Sequence, residues 1–174
     1  MGGETDDGAR PARKEFIVSK STRATKALEQ AGVAFSVHSY DYDPGAEKIG
    51  LQAAAALGEA PARVLKTLMA LVDGQPVCVV VPSDREVSMK KLATACGGKS
   101  ARMMKPADAE RVCGYKIGGV SPFGQTRRLT TVIEEQALAE PHVFVNGGQR
   151  GLQVRLAPGD AAALLKAVVA PLVA

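Results

Sequence analysis

Hydrophobic and polar positions along this chain follow two periods, and each change of period marks a change of element. In SKSTRATKALEQAG (19–32), Ala24, Leu28 and Ala31 recur at helical spacing. Ser19 or Ser21 is expected to cap this helix, and Gly32 to end it. VAFSVHSYDY (33–42) then sets Phe35, Val37 and Ser39 against Ala34, His38 and Tyr40, which suits a strand. DPGAEK reads as a turn, and IGLQAAAALG (49–58) as an Ala-rich helix ending near Gly58. Further on, SMKKLATACGG reads as a helix capped by Ser88 and stopped at Gly97-Gly98. ARMM suits a short strand, and PADAERVCG a helix opened by proline. Strands are predicted at RLTTVIEE, HVFVNGG and LQVRLAP, with a tight turn at Gly147, Gly148 and Gly151. A final helix is predicted over DAAALLKAVVAPLV.

One stretch, RVLKTLMALVDG (63–74), fits both periods. As a helix, Val64, Leu65, Leu68, Met69 and Val72 leave Lys66 on the wet side. As a strand, Val64, Lys66, Leu68 and Ala70 share one face and Leu65, Thr67, Met69 and Leu71 the other. The following residues favour the strand: Asp73-Gly74 is a preferred hairpin pair, and PVCVVVP (76–82) is β-branched and too short for a helix. A strand lysine among apolar neighbours needs a partner, which a carboxylate of the fold or a bound anion could equally supply.

Strands and short helices mix without strict βαβ alternation, so the fold class is α+β around a mixed, mostly antiparallel sheet. The length of 174 residues suits a single domain. Residues 1–18, rich in Gly, Asp and Arg, are expected to form a flexible extension ahead of an ordered domain over 19–174. No apolar run approaches the roughly 20 residues of a membrane span, so no membrane partner and a cytoplasmic location are expected. The net charge of +4 permits a polyanionic partner without demanding one. Aromatic residues at 4%, with no tryptophan, argue against a stacking platform for single strands. Cys78, Cys96 and Cys113 lack a CxxC spacing and read as reduced core thiols.

Candidate chemistry is sparse. YKIGGVSPFG (115–124) is a Gly/Ser/Pro-dense loop able to present backbone N–H groups to an anion or developing oxyanion, but no GK[ST] follows it. His38 and His142 are the only possible imidazole bases, neither with a nucleophile signature nearby, and they offer no metal-ligand spacing. Neither a metal nor a cofactor is expected. A strand lysine, a glycine loop and no evident base together fit a site in which the substrate supplies part of the chemistry.

Four blocks, TRATKALEQAGVAFSVHSYDYDP, RVLKTLM, GYKIGGVSPFGQTRRL and VFVNGGQRGLQVRL, carry a resemblance to the YbaK/EbsC family of aminoacyl-tRNA deacylases. These are relatives of the editing domain inserted in bacterial prolyl-tRNA synthetases, and the resemblance spans about residues 21 to 172. It implies a barrel-like sheet surrounded by helices. It further implies release of an amino acid wrongly esterified to tRNA, above all cysteine on the proline tRNA and also Cys-tRNA(Cys), with alanine as the alternative. Lys66 stands where the family's strand lysine stands, and Gly118, Gly119 and Ser121 fall in its GGxSP loop, whose amides orient the ester carbonyl. Tyr40 matches a pocket position, and Val120, Pro122, Asn146, Gly147 and Gln153 complete the expected substrate-binding set.

The substrate's own thiol would attack the ester in the cysteine-specific branch, which accounts for the missing base. Asn146 replaces a serine often seen before Gly-Gly, and Gln153 replaces an acidic residue, so a carboxylate is removed from the pocket. The implied partners are tRNA and a prolyl-tRNA synthetase. Two rivals remain at this level: a non-catalytic module binding a nucleotide or tRNA end, and a hydrolase using His38 or His142.

Overall fold

The computed structural model describes residues 21–46 and 48–174, so the expected extension over 1–18, like Ser19, lies outside the described residues. Helix α1 (Arg23–Gln30) is capped by Thr22, not by Ser21. Thr22 Oγ1 accepts from the Thr25 amide at 3.0 Å while Thr25 Oγ1 accepts from the Thr22 amide at 2.9 Å. The threonine pair three residues apart permits this reciprocal box, which a serine one residue earlier would miss. Strand β1 (Ser36–Ser39) and helix α2 (Ile49–Leu57) follow, the helix closed by Gly58 in the left-handed conformation.

The ambiguous stretch is a strand. β2 (Leu65–Val72) and β3 (Gln75–Pro82) pair antiparallel around Asp73 and Gly74, both at positive φ as the hairpin turn requires. Helix α3 (Met89–Ala95) is capped by Ser88, and β4 (Ala101–Met103) pairs with the far edge of β2. Helix α4 (Pro106–Cys113), β5 (Thr130–Glu134), β6 (Val143–Asn146), β7 (Leu152–Leu156), helix α5 (Pro158–Leu165) and β8 (Val168–Ala170) complete the order.

The strands form two sheets, a five-stranded one ordered β4-β2-β3-β5-β8 and a three-stranded antiparallel one ordered β1-β7-β6. β5 and β8 run parallel to β3 and to each other, so the larger sheet is mixed. The two sheets meet at a bridge between Val64 and Phe144 and do not close, so the barrel-like expectation resolves into two open sheets joined at one seam. Alternation along β3 divides the interior: Cys78 and Val80 join one apolar cluster, while Val77, Val79 and Val81 join another. Both faces of the large sheet are covered, which explains why PVCVVVP is apolar throughout.

The predicted C-terminal helix is half helix and half strand. It stops at Leu165, Lys166 takes φ +50°, and Val168–Ala170 lie parallel to Val132–Glu134. The β-branched pair Val168-Val169 follows the ladder that the open edge of β5 offers, a partner invisible to local periodicity. Glu134, 1% exposed, anchors this terminus. Its Oε1 accepts from the amides of Leu172 (2.7 Å) and Val173 (3.0 Å), and its Oε2 from that of Gln136 (3.0 Å). A buried carboxylate is tolerated here because backbone donors replace its hydration.

All three cysteines are free, with Cys78 and Cys113 buried and Cys96 half-buried. Burial pushes all three thiols up, Cys78 to about 12, with the Gln125 side chain lowering it in part.

Glu134→Ala strips the Leu172 and Val173 amides of their acceptor, and urea unfolding is expected to show a loss of about 3 kcal/mol or more, with Glu134→Gln losing less. For the thiols, Ellman titration of the native protein is expected to find Cys96 reactive and Cys78 and Cys113 silent until denaturant is added. Because Cys78 ionises at about 12 when folded and at about 8.5 when unfolded, its contribution to stability is complete below the lower value and disappears as pH rises through the higher one. Cys78→Ala is expected to flatten the alkaline limb of the stability curve.

Candidate active site

Where β2 leaves the seam between the sheets, a cavity of about 410 Å³ opens. Its walls come from β2, β4, the loop after α4 and the inner ends of β6 and β7. Lys66, Gly118, Val120, Tyr40, Asn146 and Gln153 all line it. The topology does this: the bridge of Val64 to Phe144 sets β2 beside β6, and the ladder register sets Asn146 opposite Gln153 on β7.

The Lys66 side chain is 22% exposed, and its Nζ lies 3.6 Å from Glu86 Oε2. Glu86 is 78% exposed, so water screens this pair and leaves the ammonium with donors for a stronger anionic ligand. Lys48, exposed, adds a second cation to the wall. Beneath them the wall is apolar, built by Leu65, Leu68, Met69, Met104 and Ala109 among others. Met103 and Ile117, both exposed large apolar side chains, stand on the same cavity.

The glycine loop is held by its neighbours. Asn146 Nδ2 donates to the carbonyls of Gly118 and Gln149, each at 3.3 Å, and its Oδ1 accepts from the amides of Gly148 (2.7 Å) and Gln149 (3.1 Å). Arg150 Nε donates to the Ile117 carbonyl at 2.9 Å. Gly118 has φ +92°, a conformation for glycine. At Gly119 a Cβ would stand 2.8 Å from the Arg150 nitrogen and 2.9 Å from the Gln149 carbonyl carbon, so the loop touches the β6–β7 turn backbone to backbone. The Gly119 amide donates to the Lys116 carbonyl at 2.8 Å. The amides of Gly118 and Val120 donate to no group among the described residues.

Four of the expected site residues do not line the cavity. Ser121 is fully buried; its Oγ accepts from the Phe123 amide at 3.2 Å and its carbonyl from Gln125 Nε2 at 2.9 Å, which shapes the turn. Pro122 borders a separate small void of about 10 Å³, lined by apolar side chains. Gly119 faces a cleft on the other side of the loop, shared with Arg23 and Arg150. The Gly147 carbonyl accepts from Thr22 Oγ1 at 2.6 Å, binding the turn to the start of α1. Conversely, Lys48, Thr67 and Met104 line the cavity without having been singled out from the sequence. Thr67 neighbours Lys66 in a strand with no polar face, and that was the one available signal.

Burial pushes the Tyr40 phenol up, the Gln153 side chain beside it offsets this in part, and Tyr42 adds to the rise, so Tyr40 is a neutral hydroxyl at physiological pH. Neither histidine lines the cavity. His38 Nε2 is 2.8 Å from Ser36 Oγ, and His142 Nε2 is 3.4 Å from Glu59 Oε1; both rings meet Phe144 edge-on. Among the described residues no group of three or more His, Cys, Asp or Glu side chains could hold a metal ion, and no helix is long and apolar enough to cross a membrane.

Comparison with known proteins places this geometry. Residues 43–164 match the family model for the aminoacyl-tRNA editing domain. The chain is 33% identical over 141 residues to EbsC of Enterococcus faecalis, provisionally named a Cys-tRNA(Pro)/Cys-tRNA(Cys) deacylase, covering 80% of this chain and 85% of that protein. It is 31% identical over 101 residues to the proline--tRNA ligase of Geobacillus thermodenitrificans, where the match covers 58% of this chain and only 17% of the ligase. A crystal structure provisionally described as a trans-editing enzyme for prolyl tRNA synthetase superposes with a TM-score of 0.76 at 26% identity, covering 89% of this chain and 99% of that one. With a strand lysine and a glycine loop lining one cavity, and with the family model spanning most of its length, the chain belongs to the aminoacyl-tRNA editing domain family.

Proposed function

We propose that this protein is a trans-acting deacylase that clears mischarged aminoacyl-tRNA, with cysteine esterified to the proline tRNA as its substrate and Cys-tRNA(Cys) as a second one. The observation that carries the reading is Lys66: a strand ammonium on the wall of a 410 Å³ cavity whose nearest carboxylate is a solvent-screened one 3.6 Å away. The name of the E. faecalis relative supports the choice of substrate.

Lys66 takes a phosphate or the terminal ribose of the tRNA. The amides of Gly118 and Val120 receive the ester carbonyl and stabilise the oxyanion as it forms; such donors contribute most when they are fixed before the reaction, as the Asn146 contacts fix this loop. No histidine lines the cavity, so the nucleophile comes from the substrate. The cysteine thiol attacks its own carbonyl carbon, a C–S bond forms, and the C–O bond to the ribose breaks. The thiol proton ends on the ribose oxygen, and a thiolactone leaves. The cavity exceeds an aminoacyl group, leaving its apolar part, with Met103 and Ile117, for the terminal nucleotide. A prolyl-tRNA synthetase would deliver the tRNA, in the cytoplasm where charging occurs.

The neutral Asn146–Gln153 pair supports a second reading, in which alanine on the proline tRNA is removed. Size alone separates two such substrates weakly, since one methylene is worth about 1–3 kcal/mol.

Incubation with Cys-, Ala- and Ser-charged proline tRNA is expected to show ester loss well above the spontaneous rate for the cysteinyl species. S-methylcysteinyl-tRNA should persist because its sulfur cannot form a neutral thiolactone. Loss of the alanyl species alone would establish the second reading, and salt-sensitive tRNA binding without any clearance would leave a binding module. Lys66→Ala is expected to lower kcat/KM by about 100-fold while changing stability by less than about 1 kcal/mol, because its ion pair is solvent-screened. His38→Ala and His142→Ala should retain catalysis wherever the fold is intact.

A further inference from the structure

The glycine loop borders two openings: Ile117 and Gly118 line the cavity of Lys66, while Lys116 and Gly119 line a second cleft of about 500 Å³. That cleft carries three cations and no carboxylate. Arg23 comes from the start of α1, Lys116 from the loop and Arg150 from the β6–β7 turn, and all three are exposed. Among the described residues none of them joins an ion pair; the ion-paired cations are Arg63, Lys66, Arg111 and His142. Of the acids near by, Glu110 accepts from the Ile117 amide at 2.9 Å, and Asp41 borders an adjoining depression that Arg150 shares.

Neutral groups hold both arginines. Arg23 Nε donates to the Gly124 carbonyl at 3.0 Å and its Nη2 to the Gly114 carbonyl at 2.7 Å, with the guanidinium 4.6 Å from the centre of the Tyr115 ring. Arg150 Nε donates to the Ile117 carbonyl, and its guanidinium lies 5.6 Å from the centre of the Tyr42 ring. Carbonyl dipoles and ring faces orient a guanidinium without cancelling its charge, whereas a carboxylate would do both. Side-chain freedom that a binding arginine gives up is thus largely lost already in the free protein. The Lys116 ammonium makes no hydrogen bond or ion pair among the described residues, so its charge is also unanswered. Like charges from three segments facing one exposed cleft repel one another, and a polyanion relieves that repulsion. Guanidinium forks match phosphate oxygens in particular.

Lys116 and Ile117 are consecutive and both exposed, so the cleft and the cavity share a rim. A strand whose 3′ end enters the cavity brings its next phosphates over that rim. We infer that Arg23, Lys116 and Arg150 form a second nucleic-acid contact, which grips the phosphate backbone of the tRNA acceptor stem beside the 3′ end held in the cavity. The inference rests on the deacylase reading for the identity of the nucleic acid. Such contacts carry no base information and bind ground and transition states alike, so they act on KM and leave kcat unchanged.

The test titrates an uncharged hairpin of the proline-tRNA acceptor stem, with its single-stranded 3′ end, against the full chain by fluorescence anisotropy between about 50 and 200 mM salt. Lys116→Gln leaves no partner behind, and it is expected to weaken binding about 3–10-fold and to flatten the slope of log K against log salt by about one. Lys116→Arg should restore both. Adding Arg23→Gln to Lys116→Gln should flatten the slope by about two. Lys99→Gln is the control, at the opposite end of β2 from Lys66, where the Lys99 amide meets Asp73; it should change neither quantity. In clearance of Cys-charged tRNA, Lys116→Gln should raise KM while kcat stays within about twofold. An unchanged slope for Lys116→Gln, an equal loss for Lys99→Gln, or no binding of the hairpin overturns the proposal. Displacement of the hairpin by about 1 mM inorganic phosphate also overturns it, since that marks a small-anion site. If the hairpin results hold but no charged tRNA is cleared, the cleft stands and the deacylase reading fails.

Discussion

The site depends on one side-chain amide. Asn146 ends β6 and uses both donors and both acceptor positions of its carboxamide on backbone groups of two segments, the glycine loop at Gly118 and the turn at Gly148-Gln149. Those segments are far apart in sequence, and among the described residues no other side chain joins them with four bonds. The Gly119 contact with the turn backbone and the Arg150 bond to Ile117 follow from that closeness. A loop rich in glycine loses much entropy on ordering, so its donors are useful to a developing oxyanion only where such ties have already fixed it.

Electrostatics divides the molecule in the same way. At Glu134 a charge is fully buried and fully satisfied by backbone N–H groups, and its role is to hold the C-terminal segment to the sheet. At Lys66 a charge is partly buried and poorly satisfied, and it faces a cavity. Thr67 and Gln153 line that same cavity, and the buried Thr67 Oγ1 and Gln153 Oε1 have no hydrogen-bond partner among the described residues. Local rules are obeyed through the core and broken around one cavity, the pattern expected at a functional site.

Much of the fold was legible because it is local. The 3.6 and 2.0 periods located the helices and strands, and Asp73-Gly74 settled β2 as a strand. Proline and glycine marked the ends of α2 and α4. Where the structure departs from that reading, the cause is a hydrogen-bond or strand partner that periodicity does not register. Thr22 caps α1 because Thr25 answers it. Val168 and Val169 leave the helix for the open edge of β5. Ser121, expected in the site from its place in a loop motif, is buried in the turn by its bonds with Phe123 and Gln125.

By itself the sequence determined most of the elements, the strand that carries Lys66 and the family, since these reside in residue types and spacings along the chain. Only the tertiary structure decided that the two sheets stay open along a single seam and that Lys66, Gly118, Tyr40 and Gln153 share one cavity. It alone left Thr67 Oγ1 and Gln153 Oε1 without hydrogen-bond partners among the described residues. Satisfaction of a buried polar atom depends on which strands become neighbours, and the Val64–Phe144 seam sets that between residues eighty positions apart.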